Sequence, residues 1–412
     1  MTVTATRTKQ QIRVAGGASR GEVGAIVVGG DYRGLGVVRS LGRRGIPVWV
    51  VAEKDEALAS FSRYARRAIH SKGLDSAQLV DKLLDLAAKE GLDGWALIPT
   101  GDETAAMLSR HREALARQFV VTVPPWDVLR WMYDKRLTYE LADKILVDHP
   151  WTAYPPDRAH VERLHCRFPL ILKPAVKPKF NRLTVAKAWR VGNRRELLER
   201  YDEACELVAP DTLMVQELVP GGGDSQFSFA ALCLDGRVLA SSVARRTRQY
   251  PVDFGRASTY VETVDGPAVE EPASRLLGAV SYTGLAEVEF KRDSRTGRLL
   301  LLDVNPRVWG WHSLCGRAGV DFPYLLWQLS RGQHVQELKT RPGERWIRLS
   351  TDFPTACREM LRGRLSVRGY VRSLRGPLEG AIFVRDDPIP ALVEVPLLAS
   401  LALRRLARGT GV

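Results

Sequence analysis

Cysteine is scarce. The chain has five in 412 residues, at Cys166, Cys205, Cys233, Cys315 and Cys357, and no two stand as a CxxC pair. The odd count and wide spacing exclude a disulfide framework and a cysteine-based zinc site, and fit a reducing compartment, so the expected location is cytoplasmic. Long apolar runs are also missing. The longest, residues 388–403, holds Glu394 and is broken by Pro390 and Pro396, so it does not make a membrane-spanning helix. The opening stretch is polar and basic without an apolar centre, and residues 1–22 read as a disordered arm rather than a secretory signal. Acidic residues are in deficit: 47 Asp and Glu face 61 Lys and Arg, a formal net charge of +14. That imbalance asks for an anionic partner, without choosing among nucleotide, acidic substrate, nucleic acid and anionic membrane. No helix-turn-helix, zinc-finger or aromatic RNA-binding pattern accompanies the charge, so nucleic acid is not expected. No Ser-His-Asp or Cys-His arrangement stands out.

What is present suits a globular protein of two or three domains: 45% hydrophobic and 26% charged residues over 412 positions. Residues 24–28 are an apolar strand, 33–44 a helix with Leu35, Val38 and Leu41 as its stripe, and 46–51 a second strand, which together start a parallel sheet. Gly29, Gly30, Gly34 and Gly36 do not have the G-x-G-x-x-G spacing and read as a tight strand-to-helix turn. A helix over 75–90, a strand over 95–99, a helix over 104–118 and a strand over 120–123 complete the unit, and Pro124-Pro125 marks its boundary.

Residues 168–174, FPLILKP, form an apolar strand interrupted by Lys173. A lysine among such neighbours needs an anion to offset desolvation, or it snorkels from the strand end to water. A helix over 193–209 and a strand over 213–219 follow, then Gly221, Gly222, Gly223 and Asp224. Residues 226–233 and 237–243 pair as a hairpin around Asp235-Gly236. Next come Arg245, Arg246 and Arg248. Strict alternation puts Arg246 and Arg248 on one face and Arg245 on the other. They read either as a solvated basic edge or as a clamp for a γ-phosphate or carboxylate, which the planar guanidinium suits.

The most informative stretch is 284–313, GLAEVEFKRDSRTGRLLLLDVNPRVWGWHS. It reads as a hairpin, with residues 286–291 alternating, turn formers at 293–297 and a returning strand over 299–304. Glu287 and Glu289 share a face, as do Asp303 and Asn305. Pairing brings Glu289 opposite Asp303, with Asn305 one step beyond. Two carboxylates and a carboxamide make a hard oxygen cluster that suits Mg²⁺ shared with phosphate oxygens. Arg307 adds a cation beside it. The bland alternative is a surface hairpin with acids on its wet face. Residues 309–313 would line a reaction chamber, with His312 either touching substrate or making a structural hydrogen bond.

Glu289 together with Asp303-Val304-Asn305-Pro306-Arg307 resembles the metal-binding end of ATP-grasp enzymes. The layout of residues 23–334 is similar to the carboxylate–amine ligase group, which includes D-aspartate ligase and carbamoyl-phosphate synthase grasp modules. The resemblance implies a mixed α/β and α+β fold. A Rossmann-like pre-ATP-grasp domain (23–124) would precede a two-subdomain ATP-grasp domain (125–334, lid about 125–215). An Arg-rich C-terminal extension (335–412) would follow.

It also implies ATP and Mg²⁺, with Mn²⁺ as a substitute. Glu289, Asp303 and Asn305 would hold the metal. Lys135 (in Asp134-Lys135, equally readable as a surface pair), Lys173 and Lys187 would meet the phosphates. Gln216, Glu217 and Leu218 would form the adenine hinge, with Glu217 or Asp224 on the ribose. Arg307, Arg246 and Arg248 would serve catalysis. The second acid is more often Glu in the family; Asp303 is one methylene shorter, which leaves one or two metal ions open. The usual glycine-rich loop is replaced by residues 175–182, where Lys177, Lys179 and Arg182 supply charge. The implied activity is ATP-dependent joining of a small carboxylate to an amine through an acylphosphate, releasing ADP and phosphate. The alternative is a non-catalytic nucleotide-binding regulatory module of the same fold. A homodimer, and a peripheral contact of the extension with an anionic membrane, are compatible with this reading.

Overall fold

Short runs of β-branched and aliphatic residues, each followed by a helix with a helical apolar stripe, build the first layer. In the computed structural model, which describes residues 22–175, 188–250 and 257–407, the strands β1 (Ala25–Val28), β2 (Val48–Ala52), β3 (Ala65–His70), β4 (Ala96–Pro99) and β5 (Val120–Val121) form a parallel sheet in the order β3-β2-β1-β4-β5. β3 escapes sequence reading because Ala-Arg-Arg-Ala-Ile-His is a largely exposed edge strand. Charged edges of this kind discourage further pairing. Gly29 explains the glycines after β1. Its φ is +120°, and a Cβ there would sit 2.0 Å from Thr100 Oγ1. The helix Tyr32–Gly42 is capped by Asp31, whose Oδ1 accepts from the Arg33 and Gly34 amides at 2.9 and 3.4 Å. The chain's own carboxylate thus occupies the position at the helix start where a dinucleotide phosphate would lie.

A second, four-stranded antiparallel sheet has the order β6-β9-β7-β8, from β6 (Thr152–Ala153), β7 (Leu170–Pro174), β8 (Trp189–Val191) and β9 (Leu213–Glu217). The helix Arg194–Leu207 packs on it through Leu197, Tyr201 and Ala204. The third and largest sheet, of eight strands, runs β14-β13-β10-β11-β12-β16-β17, with β15 paired to β11. Its strands are β10 (Gln226–Leu234), β11 (Arg237–Tyr250), β12 (Ala257–Thr263), β13 (Gly284–Arg292), β14 (Leu299–Asn305), β15 (Leu338–Lys339), β16 (Arg345–Ile347) and β17 (Glu379–Gly380).

One apolar cluster spans two of these layers, joining Val27, Leu35 and Val50 of the parallel sheet region to Leu232, Leu285, Trp309 and Trp346 beneath the large sheet. Close approach is enforced at Gly284, where φ is +117° and a Cβ would lie 2.7 Å from Thr122 O. The C-terminal residues extend the large sheet and clasp the first. Asp387 is fully buried and accepts from Arg39 Nε at 2.9 Å, Ser62 Oγ at 2.7 Å and the Arg63 amide at 2.9 Å. Among the described residues no helix is long and apolar enough to cross a membrane.

Candidate functional site

Register places the site. β10 pairs β13 with Ser228 opposite Glu289 and Gln226 opposite Lys291. β13 pairs β14 with Glu289 opposite Asp303 and Glu287 opposite Asn305. β11 lays Arg246 opposite Gln226. Directly opposed residues share a face, so one face of four adjacent strands carries Arg246, Gln226, Ser228, Glu287, Glu289, Lys291, Asp303 and Asn305.

The acids on that face are buried and linked. Asn305 Nδ2 donates to Glu287 Oε2 at 3.0 Å and to Glu289 Oε1 at 2.9 Å. Arg246 Nη2 stands 3.2 Å from Glu289 Oε2, and Lys135 Nζ donates to Asp303 Oδ1 at 2.7 Å. Burial pushes the Glu287 carboxyl above its ordinary range; neighbouring Glu289 adds to the shift, and Arg246 and Arg307 oppose it. The chain's own ammonium and guanidinium thus stand on the two carboxylates expected to hold a metal. The donor set of two carboxylates and a carboxamide is made of hard oxygens and fits Mg²⁺.

Arg307 is positioned from both sides. Its Nε and Nη2 meet Asp102 at 3.0 and 3.2 Å, and Nη2 also donates to Asn305 Oδ1 at 3.0 Å. Asp102 opens the helix Asp102–Arg110 after β4, so the parallel sheet contributes an acid to the site. The sequence offered no signal for this pairing beyond an acid at a helix start. Lys291 belongs to the same face. It continues the Glu287, Glu289 alternation, and burial lowers its ammonium pKa, with Asp224 and Asp293 opposing.

Lys173 reaches the site edge through a relay. Its Nζ donates to Gln216 Oε1 at 2.8 Å, and Gln216 Nε2 donates to Tyr139 OH at 3.0 Å and Thr152 Oγ1 at 2.9 Å. Tyr139 OH in turn donates to Leu302 O on β14 at 2.9 Å. The Gln216 amide is therefore engaged on both atoms and acts as a holder of Lys173, which differs from the direct nucleotide contact expected of it. At the expected hinge, the Glu217 amide donates to Trp151 O at 2.9 Å and the Leu218 amide to Pro169 O at 3.3 Å. Both N–H groups are thus engaged within the protein. The Glu217 carboxylate pairs with Arg295 Nη2 at 2.5 Å, whereas Asp224 is exposed.

Arg248 is the clear departure. β11 steps from Arg246 opposite Val261 to Arg248 opposite Tyr260. Thr247 is thus an extra residue, a bulge that turns Arg248 to the other face. There its Nε and Nη2 each meet Asp352 at 2.8 Å, and it stacks on Tyr260 at 4.1 Å. It anchors the C-terminal residues and does not share the site with Arg246. Trp309 and Trp311 are core residues, 0% and 2% exposed, not the lining of a chamber. Trp311 Nε1 donates to Glu287 Oε1 at 2.7 Å from behind. His312 is buried, its Nδ1 donating to Trp309 O at 2.8 Å, and burial lowers its pKa. It is a structural histidine. Lys187, Lys177, Lys179, Arg182 and the arm at residues 1–21 lie outside the described residues.

Residues 209–350 match the family described as ATP-grasp in the biosynthetic pathway with Ter operon. The D-aspartate ligase of Enterococcus faecium (strain Aus0004) is 22% identical over 249 residues, 55% of this chain and 57% of that protein. The match therefore spans little more than half the length of that relative. Among solved structures, the biotin carboxylase domain of Hydrogenobacter thermophilus 2-oxoglutarate carboxylase, in complex with MgADP, ADP and bicarbonate, superposes with a TM-score of 0.63 at 17% identity, over 78% of this chain and 72% of that one. L-amino acid ligase from Bacillus licheniformis gives a TM-score of 0.62 at 16% identity, over 79% of each chain. N5-carboxyaminoimidazole synthetase from Staphylococcus aureus gives 0.60 at 13% identity, over 79% and 81%. These solved structures share the fold of this chain, and the oxygen cluster on β13 and β14 lies within the family-matched residues 209–350.

Proposed function

We propose that this protein is an ATP-dependent carboxylate–amine ligase working with Mg²⁺. The observation that carries the reading is that Glu289, Asp303, Asn305 and Arg246 share one sheet face, with Lys135 and Arg307 bonded to Asp303 and Asn305 from outside the sheet. The similarity to D-aspartate ligase and L-amino acid ligase supports the reaction class.

On this reading residues 23–124 carry Asp102 to the site, residues 125–215 carry Lys135 and Lys173 as the lid, and residues 335–412 brace the body. Lys173, held by Gln216, and Lys135 bind the phosphates of ATP. Glu289, Asp303 and Asn305 would hold Mg²⁺, which would supply charge neutralisation at the transferring phosphoryl group. Asp224 is the remaining acid for the ribose hydroxyls, since Glu217 is paired. Arg246, with Nε unpartnered in a buried position, faces the phosphoryl being transferred. The substrate carboxylate oxygen attacks the γ-phosphorus and ADP leaves. The amine nitrogen then bonds to the acyl carbon as phosphate leaves, and the proton lost from nitrogen passes to the departing phosphate or to water. Arg307, set by Asp102, faces the charge that builds on the acyl oxygen, a role worth about 3 kcal/mol in comparable sites.

A screen for ADP release tests this, pairing amino acids and other small carboxylates with amine donors. The expected outcome is release by the native protein with one such pair, and its loss in Arg307→Ala and in Asp303→Ala while both remain folded. ADP release at the native rate from both variants overturns the site. Nucleotide binding without turnover for any pair would instead favour a regulatory module.

A further inference from the structure

Outside the site, exposed apolar side chains concentrate in one region. Of the fifteen large hydrophobics exposed among the described residues, nine fall between Leu349 and Val395. The most prominent is Leu361, 90% exposed at the end of the helix Leu349–Leu361, and Val367 opens the helix Val367–Ser373 at 66% exposure. These helices are joined by residues 362–366, so Leu361 and Val367 flank the tip of a helical hairpin.

The hairpin has a defined inner side. Asp352, Thr355, Ala356 and Tyr370 are buried, and Arg248 clamps Asp352 while lying over Tyr370 at 5.2 Å. The tip therefore points away from the body on a fixed base. Its charge is one-sided. Between residues 358 and 375 there are six arginines and one acid, Glu359. Glu359 is shared by Arg362 and Arg364 at 3.4 and 3.8 Å. Among the described residues Arg358, Arg368, Arg372 and Arg375 have no carboxylate at ion-pair distance. On the second helix Val367 and Val371, and Arg368 and Arg372, form adjacent i, i+4 stripes.

We propose that this hairpin tip docks on an anionic lipid bilayer. Aliphatic side chains ringed by unpaired arginines match the acyl boundary and the phosphate layer of such a surface together. Nucleic acid offers the charge and nothing for Leu361, and base-stacking aromatics are absent from the tip. A second copy of the chain would bring like-charged arginines face to face.

Flotation of the full chain with phosphatidylcholine vesicles, with and without phosphatidylglycerol, tests the proposal. The expected result is flotation only with phosphatidylglycerol, lost at high salt as screening shortens from about 10 Å at 0.1 M to about 3 Å at 1 M. Arg368→Glu/Arg372→Glu and Leu361→Asp/Val367→Asp each lower the bound fraction about tenfold or more, with native melting and native ADP release. No flotation, flotation with neutral vesicles alike, or variants floating as the native chain overturns it. So does a dimer in light scattering that Leu361→Asp/Val367→Asp dissolves, which assigns the tip to self-association.

Discussion

The Lys135 ammonium and the Asp303 carboxylate lie 168 positions apart in the chain and 2.7 Å apart in space. Both side chains are 8% exposed, so each depends on the other for charge compensation. On the proposed function, a divalent metal on Asp303 Oδ1 would displace that ammonium, and nucleotide phosphates would give it a new partner. Metal and nucleotide are therefore expected to bind cooperatively. Lys135→Met should raise the affinity for Mn²⁺ without nucleotide about tenfold, or about 1.4 kcal/mol, and weaken ADP binding. Calorimetric titration of each ligand checks this, and an unchanged Mn²⁺ affinity speaks against it. No local pattern in the sequence pairs Lys135 with Asp303. Asp134-Lys135 marks only a helix start, with Asp134 capping the Arg136 amide at 3.0 Å. The Arg307–Asp102 pair is hidden in the same way, because a contact between separate layers leaves no trace in spacing.

Strands were more readable than their irregularities. The opposition of Glu289 and Asp303 follows from a period-two pattern and a turn at residues 293–297, both local properties. Gly297 takes φ +72°, as such a turn asks. The bulge at Thr247 is set by pairing with β12, and alternation alone put Arg248 on the wrong face. The bulge separates the two arginines by role. Asp352 is fully buried and takes both Arg248 bonds, along with one from Thr259 Oγ1 at 2.8 Å. Asp352→Ala strands a guanidinium 13% exposed. It should lower unfolding free energy by about 3–5 kcal/mol, read from the denaturant midpoint. Unchanged stability would contradict the anchor.

Across the whole molecule, the last described segment ties the first sheet to the largest. Asp387 is buried against Arg39, 4% exposed, while the adjacent Asp386 pairs with Arg43 at 2.7 Å with both side chains about two-fifths exposed. The two should differ in consequence. Asp387→Ala leaves Arg39 buried without its carboxylate and should cost about 3–5 kcal/mol. Asp386→Asn should cost under about 1 kcal/mol at neutral pH, since water screens the pair. The Arg43 hydrogen bond, opposed by partial burial, holds the Asp386 carboxyl below its usual range. Its contribution is present above about pH 4, the unfolded value, and is lost as pH falls through the folded one. The Asn variant and the native chain should therefore converge in stability in acid. Divergence at low pH would contradict the sign. Sequence composition announced an Arg-rich extension but not this clasp, because both partners of each pair look like ordinary surface charge when read alone.

The central claim is that Glu289, Asp303 and Asn305 carry the metal of a bound nucleotide. A crystal grown with ADP and Mn²⁺ tests it through anomalous scattering from manganese. The account predicts a peak about 2.0–2.2 Å from oxygens of those side chains and from a phosphate oxygen, with Lys135 moved off Asp303. A manganese peak elsewhere, with Lys135 still on Asp303 beside a bound nucleotide, would contradict it.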